Sequence, residues 1–365
     1  MKDKKKAPKL RFKGFTDDWE QRKLGDVADI TTGSRNHQDS VTDGKYPFFV
    51  RSDKVERLNE YDFDTRAILV PGDGRIGEIF HYYNGKFALH QRVYKVDNFN
   101  GINALFLLGQ FKYSFKKHAL RLNAQGTVPS LRLPMFTNWN ISIPNITEQE
   151  RIGSFFRKLD QTITLHEEKK RQLERLKSAL LQKMFANKNG YPAVRFEGFD
   201  KAWKQSKLGE ITKVIAAKPY ISTPSTHGNY LVIQQGDKPI AGFSNSNPFK
   251  NYNNITLFGD HTLSLFKPRS PFLVASDGIK ILSPSIEMNG LFYFYELEKY
   301  KPKSEGYKRH FTILKKCKAN FPTDIDEQKL IGSLLLRIDN LITKQQLKMD
   351  KLNETKESLL QNMFI

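Results

Sequence analysis

The chain has 365 residues, 39% hydrophobic and 12% aromatic, with a formal net charge of +20 and a pI near 9.7. That is enough apolar material for packed cores, which excludes a disordered chain, and the length suggests two or three domains. A positive surplus this large points to a polyanion, so nucleic acid is the expected partner, while the single cysteine, Cys317, excludes an intrachain disulfide and a cysteine-based zinc site and fits a reducing cytoplasm.

In chain order, the charged stretch Met1–Lys6 has no apolar run behind it, so no signal peptide is expected. The longest apolar runs, such as Ala104–Leu108 and Leu334–Leu336, fall far short of the ~20 residues of a membrane helix. A segment Pro8–Val27 follows, containing Pro8-Lys9-Leu10-Arg11-Phe12-Lys13-Gly14-Phe15, Trp19 and Lys23-Leu24-Gly25. Tyr46–Val50, Ala67–Val70, Glu78–Tyr82 and Arg92–Val96 read as strands, with Asn84-Gly85 as a hairpin turn. Gly72-Asp73-Gly74-Arg75-Ile76-Gly77 has dinucleotide-site spacing, with Asp97 about twenty residues on. Such a site needs a helix next, and the following residues read as strand and turn, so a glycine-rich turn is the better reading.

Residues 148–185 contain no proline, and Ile152, Leu159, His166, Leu173 and Leu180 recur every seven residues, flanked by Phe155, Phe156, Ile163, Leu176 and Met184. The pattern predicts a long helix with coiled-coil-like packing, entered through a Thr147–Glu150 capping box. Pro192–Ile211 then repeats Pro8–Val27 with 10 of 20 positions identical. In the second middle, Tyr230–Gln234, Leu263–Phe266, Phe272–Val274 and Leu291–Tyr295 read as strands. A second long helix from Glu327 carries Ile331, Ile338, Gln345, Leu352 and Leu359 at the same period, flanked by Leu334, Leu335, Leu341, Ile342, Met349 and Met363, with Asp324 or Asp326 as its cap. Residues 148–185 and 327–364 share 16 of 38 positions.

The chain is thus a duplicated frame. The expected domains are a first recognition unit, 1–146, a helix, 147–189, a second unit, 190–325, and a second helix, 326–365. The expected fold is α/β (α+β): two strand-rich domains related by a pseudo-two-fold internal repeat and separated by two long antiparallel coiled-coil helices. The repeat edges match, while the middles (about 28–135 and 212–313) hardly match, which suggests one frame presenting two reading heads. Each helix is roughly 57 Å long at ~1.5 Å per residue, enough to separate two reading surfaces by about one duplex turn. His166 and Gln345 occupy the same seam position; they fix register, or they face solvent at a fraying mid-seam.

The helices carry only +3 and +1 of the charge, so the globular units should meet the polyanion. Basic and aromatic residues interleave there at Arg75, His81, Tyr82, Tyr83, Lys86, His90, Gln91 and Arg92, and again at Tyr307, Lys308, Arg309, His310 and Phe311. Arg and Lys pair with guanine and phosphate, Asn and Gln with adenine. The candidate DNA contacts are Arg35, Arg51, Arg75, Gln91, Arg92, Arg121, Gln125 and Thr127 in the first unit, and Gln234, Gln235, Lys238, His261, Lys280, Lys308, Arg309 and His310 in the second. Most such residues in a basic protein are solvated surface or phosphate contacts. Methyltransferase, nuclease, metal-ligand and Walker signatures are missing or misplaced, so no catalytic, cofactor-binding or metal-binding residue is expected.

The duplicated frame, Gly126-Thr127-Val128-Pro129-Ser130-Leu131, Ile143-Pro144 with Glu148–Gly153, the copy Glu327–Gly332, and the Leu-Leu-Gln-x-Met-Phe ends at Leu180–Phe185 and Leu359–Phe364 together resemble the specificity (S) subunit of type I restriction-modification systems. Phe258–Thr262 and Asp277–Lys280 are similar to segments of such recognition domains. The resemblance covers essentially the whole chain. It implies a non-catalytic, cytoplasmic subunit whose two target-recognition domains each read half of a split DNA sequence. The paired helices would act as a ruler and dock two methyltransferase (M) subunits, and restriction (R) subunits would join for cleavage. S-adenosylmethionine, ATP and magnesium would then bind the partner subunits. The second unit has Gly306–His310 where the first has Gly126–Leu131, so the loop over DNA should differ between heads. Competing readings are an autonomous nucleic-acid-binding regulator or scaffold, and an enzyme with a degenerate site.

Overall fold

The computed structural model describes residues 7–123, 129–187, 189–303, 306 and 309–365. In chain order the elements are β1 (Glu20–Lys23), β2 (Asp29–Thr32), β3 (Tyr46–Phe49), β4 (Val55–Leu58), β5 (Phe63–Pro71), β6 (His81–Leu89), β7 (Val93–Asp97), α1 (Ala104–Gln110), α2 (Lys116–Leu122), α3 (Leu133–Thr137), β8 (Asn140–Ile143) and α4 (Ile146–Lys183). They continue with β9 (Lys204–Lys207), β10 (Thr212–Ile215), β11 (Tyr230–Ile233), β12 (Ile240–Ser244), β13 (Thr256–Gly259), β14 (Leu265–Phe266), β15 (Phe272–Val274), β16 (Ile279–Pro284), α5 (Gly290–Tyr300), α6 (His310–Leu314), β17 (Lys318–Phe321) and α7 (Ile325–Met363). Among the described residues no helix is long and apolar enough to cross a membrane.

The chain forms two compact units. One runs through Glu167 and adds Leu347–Ile365; the other is Glu168–Gln346. Each long helix therefore begins in one unit and ends in the other. In the first unit α4 and α7 lie antiparallel, with Asp160 bonded to Lys356 and the Phe156 and Phe364 rings 5.7 Å apart. In the second, Lys177 of α4 bonds Asp339 of α7 at 2.8 Å, and Leu180 packs in one core with Ile331 and Leu335. The seam residues Ile152, Ile331, Ile338 and Gln345 are buried, and Leu159, His166, Leu173, Leu180, Leu352 and Leu359 are half-buried. The burial of Gln345 goes against the solvent-facing reading of that position, and both His166 and Gln345 have interaction partners. Leu176 and Leu341, expected to flank the seams, are instead exposed. A strict seven-residue count drifts around a 3.6-residue helix, and these two fall on its outer edge.

The helix starts explain the repeated motifs. Asn145 caps α4, its side chain accepting from Glu148 N at 3.0 Å, so the cap lies two residues before the expected Thr147. Asp324 caps α7 in the same way, through Asp326 N and Glu327 N. Glu148 is fully buried and takes a bidentate pair from Arg11 at 2.8 and 2.6 Å. Glu327 takes the same pair from Arg195 at 2.7 and 2.9 Å. Gln149 accepts from Asn103 N at 2.7 Å, and Gln328 from Asn289 N at 2.7 Å. Asn103 and Asn289 in turn cap α1 and α5. Gly153 and Gly332 allow those capped helix starts to approach closely: a Cβ on Gly153 would lie 2.8 Å from Phe106 N, and one on Gly332 2.8 Å from Leu291 Cβ. Trp19 packs edge-on against Phe106 and Phe364, and Trp203 against Phe292 and Phe185. The Met-Phe ends of the long helices are thus core residues.

The dissimilar middles share one sheet order. The first unit holds a six-stranded sheet, β2-β7-β5-β6-β3-β4. The second holds β10-β16-β13-β14 beside β15-β11-β12, the same order with the fourth strand broken in two. The break falls at Lys267-Pro268-Arg269-Ser270-Pro271, where two prolines remove ladder donors. Parallel pairing of β3 with β6 recurs as β11 with β15.

Four sequence expectations change. Asn84-Gly85 is not a turn: both residues sit inside β6, opposite Arg66 and Thr65, with the Tyr83 ring covering Gly85. Nine paired residues outweigh a two-residue turn signal. The strand expected from Glu78 starts at His81, because Arg75–Glu78 form a turn. Leu291–Tyr295 lies within α5, because the Asn289 cap commits these aromatics to a helix. Leu263 has φ +58 and stays outside β14.

The two frames differ at one buried position. Gln110 lies seven residues past the Asn103 cap and donates to Ser142 O at 2.9 Å. Glu296 lies seven past the Asn289 cap, fully buried, with neither carboxyl oxygen hydrogen-bonded among the described residues. Burial pushes its carboxyl well above the usual range, so it is neutral in the folded chain. Unfolded, it ionises near 4.5, and stability is lost as pH climbs from there toward the raised folded value. Glu296→Gln should raise the thermal midpoint at pH 8, with the gain shrinking toward zero near pH 4.5, as read by calorimetry across pH.

Candidate nucleic-acid interface

The first head gathers its candidates at one end of the sheet. The connection from β5 to β6 is pinned at its start: Gly72 N donates to Arg92 O at 2.7 Å, and Leu131 N donates to Gly72 O at 2.6 Å. This clasp sets Arg92 beside the glycine-rich turn. Gly77 has φ +67, and a Cβ there would come within 2.7 Å of Lys116 Cα, so only glycine passes. No helix follows, which removes the cradle that a dinucleotide pyrophosphate requires. Arg51 bonds Asp73 at 3.2 Å, Arg75 bonds Asp53, and Arg35 bonds Glu60 and Asp62 at 2.9 Å each. Gln91 donates to Asn36 at 2.6 Å, and its N–H donates to Arg35 O. Arg35, Arg51, Arg75, Gln91 and Arg92 therefore form one cluster.

The carboxylates in this cluster preset the exposed Arg51 and Arg75 without binding them tightly, whereas the Arg35–Asp62 pair is part-buried and more firmly held. Exposed ion pairs are worth ~0–1 kcal/mol, and a phosphate can take a guanidinium over at little cost. Asp53, Asp73, Glu60 and Asp62 were not among the expected site residues. They lie 22 to 27 residues from their arginines, and no local spacing marks them. Arg92 is exposed and has no ion pair among the described residues. His90 beneath it is buried; its Nδ1 accepts from Arg92 N at 2.9 Å, and burial lowers its pKa, so it stays neutral and orients the backbone. Arg121, also exposed, lies in the last turn of α2. Gln125 and Thr127 lie outside the described residues.

The second head repeats the clasp with other side chains. Asp260 N donates to Gly278 O at 2.9 Å, and His310 N donates to Asp260 O at 2.9 Å. Gly72, Arg92 and Leu131 thus correspond to Asp260, Gly278 and His310. Around this clasp, Gln235 accepts from His261 N at 3.3 Å and Lys280 donates to Asp277 O at 2.9 Å. Gln234 donates to Lys238 O at 2.8 Å, and the Lys238 and Arg309 side chains are exposed. His310 is a correction. It is fully buried, with Nδ1 3.1 Å from Asp260 O, and fills the position held by buried Leu131 in the first head; its side chain supports the loop from within and is not on the exposed surface. Lys308 lies outside the described residues. Among those described, no group of three or more metal-ligating side chains is present.

The heads thus present cations on backbone-clasped turns. The family model for the type I restriction modification DNA specificity domain matches residues 16–175 and again 200–352. The chain belongs to this family, whose members are specificity subunits and not the catalytic ones. It is 31% identical over 164 residues to the type I restriction enzyme EcoDI specificity subunit of Escherichia coli, a match spanning 45% of this chain and 35% of that protein. It is 24% identical over 404 aligned positions to the type I restriction enzyme MjaVIII specificity subunit of Methanocaldococcus jannaschii, covering 94% and 91% of the two chains. The crystal structure of a type I restriction-modification S subunit from M. genitalium superposes with a TM-score of 0.72 at 15% identity, over 98% of this chain and 99% of that one, which shows the fold.

Arg92→Ala should weaken duplex binding and reduce the slope of log K against log salt by about one if Arg92 meets a phosphate. His310→Ala should lower the thermal midpoint and leave that slope unchanged. Fluorescence anisotropy over a salt series checks both.

Proposed function

We propose that this chain is the sequence-reading subunit of a type I restriction-modification complex, each head reading one half of a bipartite DNA target. The observation that carries this is the pairing of one sheet order and one backbone clasp with two different sets of exposed side chains. A shared scaffold brings each head to DNA in the same way, and the unlike side chains read unlike bases. The two long helices set the spacing between half-sites and dock methyltransferase subunits, and restriction subunits join for cleavage. S-adenosylmethionine belongs to the methyltransferase subunits, and ATP and magnesium to the restriction subunits. The complex works in the cytoplasm.

Methylation-sensitive sequencing of the host genome should yield a split motif. Exchanging residues 28–135 for those of another family member should change one half of that motif and leave the other intact. An unaltered motif after the exchange contradicts the assignment of that segment as a reading head.

A further inference from the structure

The duplicated frame supplies its own comparison at a site outside the DNA-reading surfaces. Counting from the Asn103 and Asn289 caps, Gly109 of α1 corresponds to Tyr295 of α5. By the helix repeat, Asp160 corresponds to Asp339 and Lys356 to Lys177. In the second unit Tyr295 is buried, and its hydroxyl donates to Asp339 Oδ2 at 2.7 Å. Lys177 bonds the same carboxylate at 2.8 Å and lies over the Tyr295 ring, 5.4 Å from its centroid.

In the first unit the carboxylate and the lysine are kept and the ring is missing. Asp160 Oδ1 holds Lys356 at 2.5 Å and Oδ2 holds Lys112 at 2.7 Å. Burial alone would raise the Asp160 carboxyl, but the two lysines pull it below the usual range, so it is a charged acceptor. Each oxygen has a second lone pair to offer. Beside it lies a cavity of about 320 Å³ walled by Tyr82, Leu105, Leu108, Gly109, Phe156 and Leu360. The chain cannot close this space from Gly109, because the Phe364 ring lies against that glycine where a Cβ would stand. The volume is at the lower end of small-ligand sites.

We propose that this cavity binds a phenol-class aromatic ring, which makes to Asp160 the bond that Tyr295 makes to Asp339 in the sister frame: the hydroxyl donates to Asp160, the ring lies under Lys356, and the apolar edge rests on Leu105, Leu108 and Leu360. The proposal does not depend on the DNA-reading role. The chemistry is that of a free phenol or of a tyrosine presented by another polypeptide.

The test uses the full chain, with p-cresol as the probe and toluene as the comparator, followed by crystal soaks and calorimetry. We expect one p-cresol in the cavity, with its hydroxyl within hydrogen-bond distance of Asp160, bound roughly tenfold more tightly than toluene, or ~1.4 kcal/mol. Tyr295→Ala should open the sister site and raise the stoichiometry from one to two; the wild-type measurement stands if that variant fails to fold. N-acetyl-tyrosinamide separates the sources: its binding points to a tyrosine side chain, and its exclusion alongside bound p-cresol points to a free phenol. No p-cresol in the cavity, or equal affinity for toluene, overturns the proposal.

Discussion

Each long helix starts by burying a carboxylate against a guanidinium, and the rest of each unit is arranged around that pair. A buried glutamate is tolerated only if charge and lone pairs are both met. Glu148 and Glu327 meet those conditions with a bidentate arginine, a capped helix start and the favourable end of the helix dipole. The neighbouring Gln149 and Gln328 then carry the connection one step further, to the caps of α1 and α5. One dipeptide thus joins the entry segment, the long helix and the helix that backs each sheet. The Arg-Phe-x-Gly-Phe and Glu-Gln motifs are repeated because the geometry leaves little freedom to either.

The heads are built on the opposite economy. Their clasp is made by backbone N–H and C=O groups, Gly72, Arg92 and Leu131 in one and Asp260, Gly278 and His310 in the other, with the Asp260 and His310 side chains adding bonds only in the second. The side chains at such positions therefore differ between the heads, although Gly72 itself has no room for a Cβ, which would stand 2.9 Å from Arg92 O. The same holds for the fourth strand, continuous as β6 in one head and broken by prolines in the other, within one strand order.

This contrast also explains what could be read from the sequence. The frame was legible because its contacts are made by particular side chains, which recur in register; the two long helices and the caps' neighbourhood followed from it. The common fold of the heads was not legible, because backbone bonding leaves no mark on residue identity. Leu291–Tyr295 misread as a strand because aromatic side chains suit both states, and only the Asn289 cap decides. Of the candidate contacts, Arg35, Arg51, Arg75, Gln91 and Arg92 come together, as do Gln234, Gln235, Lys238, His261 and Lys280, whereas a buried histidine such as His310 looks the same in sequence as an exposed one. The carboxylates that hold the arginines are distant in sequence and left no local signal.

The Arg11–Glu148 pair fastens the first unit to its long helix. The most direct measurement compares the unfolding free energy of Arg11→Met with that of the double variant Arg11→Met/Glu148→Met. The single change, which strands a buried carboxylate, should cost about 3–5 kcal/mol, and the double should recover most of it. A single change that costs less than ~1 kcal/mol, or a double variant worse than the single, would contradict it.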